Sequence, residues 1–143
     1  MGEGGFLETE MKKEKLRKQF AEGANAFKQF CEETTTETRA DLGKQLNQTD
    51  NGVLNSQLAA FEQRLGAVEG KEADLKALQP VADALEEQGV ITNPHTPETM
   101  YSLQTMHTLL LKMHNDAIAT TKEKIDLNTF HEGLIADYTA IVK

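Results

Sequence analysis

The stretch Leu16–Phe30, LRKQFAEGANAFKQF, decides the fold. Its apolar residues Leu16, Phe20, Phe27 and Phe30, with the small Gly23 on the remaining rung, advance by alternating steps of four and three. That is the rhythm of a helix laying a seam against partner helices in a seven-residue repeat. Working outward, helix A spans about residues 9–46. Past Phe30 the continuing positions are Thr34, Glu37 and Asp41, and the run Thr34-Thr35-Thr36 lowers helix propensity through stiff β-branched side chains. The helix is expected to loosen there and to recover around Leu42 and Leu46.

Two breaks separate this segment from two others. The first is the polar run Asn47-Gln48-Thr49-Asp50-Asn51-Gly52, and the second is Gly89 through Pro97. Helix B, about 53–88, carries Leu54, Leu58, Phe61, Leu65 and Val68 in the same four-three rhythm. Glu72 interrupts it, and Leu75, Leu78, Val81 and Leu85 resume in what reads as a shifted phase. Pro80 predicts a kink and Gly89 a stop. Helix C, about 97–126, opens on Thr96 as N-cap, Pro97 at the first helical position and Glu98 in the first turn. Met100, Leu103, Leu110, Met113, Ala117 and Ile118 follow at helical spacing, while Leu111, Ile118 and Ile125 widen the apolar face.

Residues 1–8 read as an N-terminal linker or tail. Residues 127–143 read as an amphipathic exit helix or neck toward a following domain, with Leu127, Phe130, Leu134, Tyr138 and Ile141 on one face. Asn128 can cap a new helix there, or helix C can run straight through. Three seamed helices joined by short loops pack up-down-up. The fold class is therefore all-α, a three-helix left-handed coiled-coil bundle, elongated, built from helices of about 30 residues or roughly 45 Å each.

Composition narrows the chemistry. The chain has 143 residues, enough for one domain with a continuous core. Its net charge of −8 disfavours nucleic acid as a partner, because phosphate binding needs a basic face. No apolar run is long enough to span a membrane. The one cysteine, Cys31, has no partner for an internal disulfide, which fits a reducing compartment, and it reads as a small inert thiol beside the seam.

Asn47, Thr49, Asn51 and Gly52 fall on the early positions of a calcium loop, but Leu58 stands where a bidentate Glu is required, so an interhelical turn is the better reading. His107 and His114 are seven residues apart, about 10 Å along a helix and too far to share one ion. His107 reads as a neutral ring filling a core layer. No nucleophile motif, phosphate loop or cofactor fingerprint is present, and no catalytic residue, metal site or cofactor is expected. The basic run Lys12, Lys13, Lys15, Arg17 and Lys18 stands out in an acidic chain as a solvated helix face, or as an electrostatic docking site for an acidic surface or anionic lipid. Glu62, Glu69 and Glu72 are candidate acids for such a contact in a dimer.

Two stretches resemble a known family. Leu16-Arg17-Lys18-Gln19-Phe20-Ala21 with Ala24-Asn25-Ala26 resembles helix A of the last spectrin repeat in the α-actinin rod. Asn93-Pro94-His95-Thr96 with Thr99-Met100 resembles the loop and start of helix C in that repeat, and Leu109-Leu110-Leu111, Ile118 and Ile125 follow in register. The likeness covers roughly 14–126 and is thinnest in helix B, where Leu58 and Phe61-Glu62 anchor it. The family usually carries tryptophan in helices A and C; here Phe30 and His107 take those positions.

The resemblance implies a rod, spacer and dimerisation module of an actin cross-linking protein in the cytoplasmic actin cytoskeleton. Such rods pair as antiparallel homodimers and meet actin only through a flanking actin-binding domain. A monomeric spectrin-like adaptor, docking other proteins or anionic lipid, is the alternative.

Overall fold

The computed structural model describes the backbone of residues 3–142 and the side chains of residues 5–134. Within them regular structure is entirely helical: α1 (Glu3–Lys44), α2 (Asn51–Gly70), α3 (Glu72–Glu87) and α4 (Met100–Val142). The chain divides into two compact units. The first combines Met1–Glu33 with Glu69–Leu109, and the second combines Thr34–Val68 with Leu110–Lys143. Each unit takes a length of α1 and a length of α4, completed by α3 in the first and α2 in the second.

In the first unit α1 and α3 run antiparallel. Gly23 faces Leu78, while Phe30, seven residues further along, lies under the ammonium of Lys71, seven residues earlier, at 4.7 Å. A Cβ at Gly23 would stand 2.5 Å from a Leu78 methyl carbon, so a larger residue there requires the Leu78 side chain to shift. The core is apolar: Phe20, Ala24, Phe27 and Cys31 from α1, Leu75, Leu78, Val81 and Leu85 from α3, and Leu103 from α4. His107 is buried with them, its ring tilted against Phe27 at 6.1 Å.

In the second unit Gln57 donates to the Asp41 carbonyl at 3.3 Å, and Arg64, one heptad on, pairs with Asp41 at 2.7 Å and Glu37 at 3.6 Å, so α2 runs against α1. Leu54, Phe61, Val68, Leu110 and Ala117 supply its apolar core.

Local signals account for most helix ends. Asn47, in the left-handed region at φ 65°, turns the chain after α1, and Asp50 caps α2 by accepting the Gly52 amide at 2.8 Å. Gly89, at φ 73°, closes α3 in a Schellman turn, with Val90 N–H bonded to the Leu85 carbonyl and Gly89 N–H to that of Glu86, both at 2.9 Å.

Several expectations need correction. α1 begins at Glu3, within the stretch read as a linker, and runs without interruption through the three threonines. Its seam passes through Ala24 and Cys31 where Gly23 and Phe30 were expected; Phe30 is only half-buried. It continues through Thr34, Thr38 and Gln45, whereas Leu42 is half-buried and Leu46 is exposed beyond the helix end.

Helix B is two helices, interrupted at Lys71, and Pro80 sits inside α3 without ending it. There is no change of phase, because Leu54, Phe61, Val68 and Leu75 are buried at successive intervals of seven; the repeat crosses the break at Lys71 rather than Glu72.

α4 starts at Met100, three residues after Pro97. Thr99 is its N-cap: its hydroxyl accepts the Ser102 amide at 3.1 Å, and the Ser102 hydroxyl accepts the Thr99 amide at 2.9 Å. Past Asp126 the same helix continues to Val142, so no new cap forms at Asn128. The face read through Tyr138 and Ile141 lies, at those two positions, outside the described side chains. No helix among the described residues is long and apolar enough to cross a membrane.

Packing and propensity can be separated by mutation. Phe61 is fully buried, so Phe61→Ala is expected to destabilise by about 3–5 kcal/mol. Gly66 lies inside α2 in open space, with nothing within 4 Å of the point where a Cβ would stand, so Gly66→Ala is expected to stabilise by about 0.5–1 kcal/mol. Urea unfolding followed by circular dichroism checks both.

Candidate functional site

The two stretches that carry the family resemblance touch each other in the first unit. The loop ahead of α4 is fastened to α1 by side chains from both. Asn93 donates to the Arg17 carbonyl at 2.9 Å, Asn25 donates to the His95 carbonyl at 3.4 Å, and the Thr96 hydroxyl donates to Asn25 Oδ1 at 2.8 Å. Lys28 pairs with Glu98 at 3.3 Å, and His95 Nε2 donates to Glu14. Thr96, read as the cap of helix C, lies four residues ahead of Met100; its hydroxyl accepts the Glu98 amide at 3.2 Å and, by donating to Asn25, ties the loop to α1.

The His95 hydrogen bond holds the Glu14 carboxyl below its ordinary range, opposed by a burial penalty and reinforced by Arg17. Cys31 is shifted the other way. Burial pushes its thiol up to about 11, the adjacent Glu32 adds to this and Lys71 partly offsets it, which leaves a poor nucleophile.

The second unit holds a buried polar ladder. His114, fully buried, donates from Nδ1 to the Leu110 carbonyl at 2.8 Å. A carbonyl only accepts, so Nδ1 carries hydrogen, and in the neutral ring Nε2 accepts the Thr38 hydroxyl at 2.9 Å. One heptad further along both helices, the Gln45 amide donates to Thr121 Oγ1 at 2.7 Å, and Thr121 donates to the Ala117 carbonyl at 2.7 Å. The matched heptad steps make α1 and α4 parallel within this unit. Lys124 donates to the Gln45 carbonyl at 3.0 Å. The side-chain oxygens of Gln45 and Gln57 are buried without a partner.

The expected seam residues divide by depth. Phe20, Phe27, Leu54, Phe61, Val68, Leu103, His107 and Leu110 are buried. Leu16, Phe30, Leu58, Leu65, Met100, Ile118 and Ile125 are half-buried shoulders. Apolar spacing does not single out Thr38, Gln45, His114 or Thr121 as core positions. One signal for His114 exists: it lies four residues after Leu110 and seven after His107, but Met113 is the more apolar neighbour.

In the basic run, Lys13 pairs with Glu10 at 3.3 Å and Arg17 with Glu14 at 3.2 Å, while Lys12, Lys15 and Lys18 are exposed. Glu62, Glu69 and Glu72 are exposed as well. A groove of about 310 Å³ between α3 and α4 is lined by His107, Glu72, Lys76 and Gln104 among others. Among the described residues no group of three or more His, Cys, Asp or Glu is placed to hold a metal ion. What the fold defines is an all-helical bundle whose first unit has an apolar core and whose second unit adds a buried polar ladder to its apolar residues. No family model matches the chain, and no solved structure matches it.

Two tests follow from this geometry. Thr121→Val alone strands the Gln45 amide and is expected to cost about 1–3 kcal/mol, whereas Thr121→Val with Gln45→Leu recovers that loss, read as a double-mutant cycle in urea. Because Glu14 is depressed in the folded state, its contribution is present above its unfolded value of about 4.5 and is lost as pH falls below it. The thermal midpoint of wild type should therefore exceed that of Glu14→Gln at pH 7, and the gap should close on acidification toward pH 3.

Proposed function

We propose that this chain is a spectrin-repeat rod element of the α-actinin type, a spacer and dimerisation module of an actin cross-linking protein. Its work is mechanical and not catalytic. One observation supports this reading above others: α1 and α4 are single helices of 42 and 43 residues, roughly 65 Å each at 1.5 Å per residue. Their buried residues keep the 3.5-residue spacing that winds helices into a left-handed coil. Side chains so spaced resist axial load by shear between packed helices. The loop-to-α1 contacts among Arg17, Asn25, Asn93 and Thr96 add weight, since these residues carry the likeness to the family.

In this reading the chain pairs as an antiparallel homodimer, needs no cofactor, works in the cytoplasm and reaches actin only through a flanking actin-binding domain. The exposed Lys12, Lys15 and Lys18 favour a second reading, a monomeric adaptor for anionic surfaces.

One experiment separates the two. The chain is fused behind an actin-binding domain and mixed with filaments. Bundles that pellet at low speed are expected of a dimerising rod. Filaments that are decorated but never bundled, together with co-sedimentation on anionic phospholipid vesicles, would replace the rod by the adaptor.

A further inference from the structure

We propose that Asn51 is a modification site, a point of spontaneous deamidation that the fold holds shut and whose reaction loosens α4 beyond Ile125. The site is independent of the rod reading. Asn51-Gly52 is the one Asn-Gly pair in the chain. Asparagine followed by glycine is the dipeptide most prone to this reaction, because glycine leaves the attacking backbone nitrogen uncrowded and its peptide free to rotate. Water is the co-reactant. The Gly52 nitrogen gives its proton to solvent and attacks Asn51 Cγ. The new N–Cγ bond closes a five-membered succinimide, the Cγ–Nδ2 bond breaks, and Nδ2 leaves as ammonia with a proton taken back from solvent. Water then opens the ring at either carbonyl and leaves aspartate or isoaspartate at position 51. Nothing is oxidised or reduced.

Three features of the second unit oppose the attack. Asn51 is the first residue of α2, and helical backbone angles hold the following nitrogen away from Cγ, so ring closure requires that turn to open. The Gly52 N–H donates to Asp50 Oδ1 at 2.8 Å, and this carboxylate retains the proton that has to leave. The Asn51 carboxamide is itself gripped by α4. Its Nδ2 donates to Thr129 Oγ1 at 3.2 Å and to the Ile125 carbonyl at 3.5 Å, and its Oδ1 accepts from Asn128 Nδ2 at 3.1 Å.

The same contacts give the reaction a consequence. Past Thr121 no described side chain of α4 is buried. Polar contacts fasten this length to its unit: Lys124 on the Gln45 carbonyl, and Asn51 on Ile125, Asn128 and Thr129. An aspartate at 51 has no N–H to offer Thr129 or the Ile125 carbonyl, and it sets a second carboxylate beside Asp50. Isoaspartate also adds a backbone carbon at the first residue of α2. Either product releases α4 beyond Ile125 from the head of α2, and no step of the chemistry returns the amide.

The test ages the full chain at neutral pH in buffer and in urea. Mass spectrometry with fragmentation then follows the tryptic peptide 45–64, in which Asn47 and Asn55 serve as internal references. In urea Asn51 should react at least about tenfold faster than Asn55, which precedes serine. In buffer Asn51 should react at least about tenfold more slowly than in urea. Thr129→Val removes an acceptor from the Asn51 amide; it should raise the buffer rate at least about twofold and leave the urea rate unchanged. Thr129 is exposed, so circular dichroism should not change; if it does, Asn128→Ala takes its place. Asn51→Asp should speed amide hydrogen exchange across 127–134 at least about threefold, with 110–117 unaffected.

An Asn51 no faster than Asn55 in urea would overturn the site. Equal Asn51 rates in buffer and urea, or a buffer rate indifferent to Thr129→Val, would overturn the control by the fold. Wild-type exchange across 127–134 in Asn51→Asp would overturn the loosening of α4.

Discussion

The structure depends on a steric and solvation constraint: a helix in this bundle must offer one side chain to its neighbours every three or four residues. In α1 the buried positions are 20, 24, 27, 31, 34, 38 and 45, with half-buried Asp41 on the remaining rung, and in α4 they are 103, 107, 110, 114, 117 and 121. These are continuous heptad ladders. Packing geometry fixes which positions turn inward, whatever residue type occupies them. That is why threonine, glutamine and histidine appear at full burial beside phenylalanine and leucine.

The consequence differs between the two units. In the first, the ladder is filled by Phe20, Phe27, Leu75, Leu78 and Leu103, and cohesion comes from apolar area withdrawn from water. In the second, the α1 and α4 rungs are largely polar, and each group removed from water has to find a partner. Thr38 finds His114, and Gln45 finds Thr121. Such pairs add little net stability, but they work only in one alignment. A slip of one heptad would set His114 against Cys31 or Gln45 in place of Thr38, and the matched donors and acceptors would be lost. Leucine at the same rungs would accept several alignments equally. The polar ladder thus trades cohesion for a defined register.

The surface follows the same logic. Apolar side chains stay exposed in the first turns of α1, at Phe6, Leu7 and Met11, and along α4 at Leu127, Phe130 and Leu134. Cys31 is held in its thiol form, and the loop ahead of α4 is bound down by Asn25, Asn93 and Thr96.

From sequence alone the all-helical class, the three-segment division and much of the apolar core were legible, because alternating steps of four and three are a local property of the chain. Leu54, Phe61, Val68, Leu103 and Leu110 announce themselves by both spacing and hydrophobicity. The register of α1 past Phe27 was not legible. Hydrophobicity favours Phe30 and Leu46, while the tertiary seam selects Cys31, Thr38 and Gln45 beside the expected Thr34. The start of α4 was also decided by tertiary structure: the Thr96 hydroxyl accepts the Glu98 amide while donating to Asn25, yet the helix starts at Met100 and Thr99 caps it. The polar ladder depended wholly on tertiary structure. Burial of His114 becomes favourable only when Thr38 and the Leu110 carbonyl stand within hydrogen-bonding distance of its two nitrogens, and no pattern along one helix records what the neighbouring helix supplies.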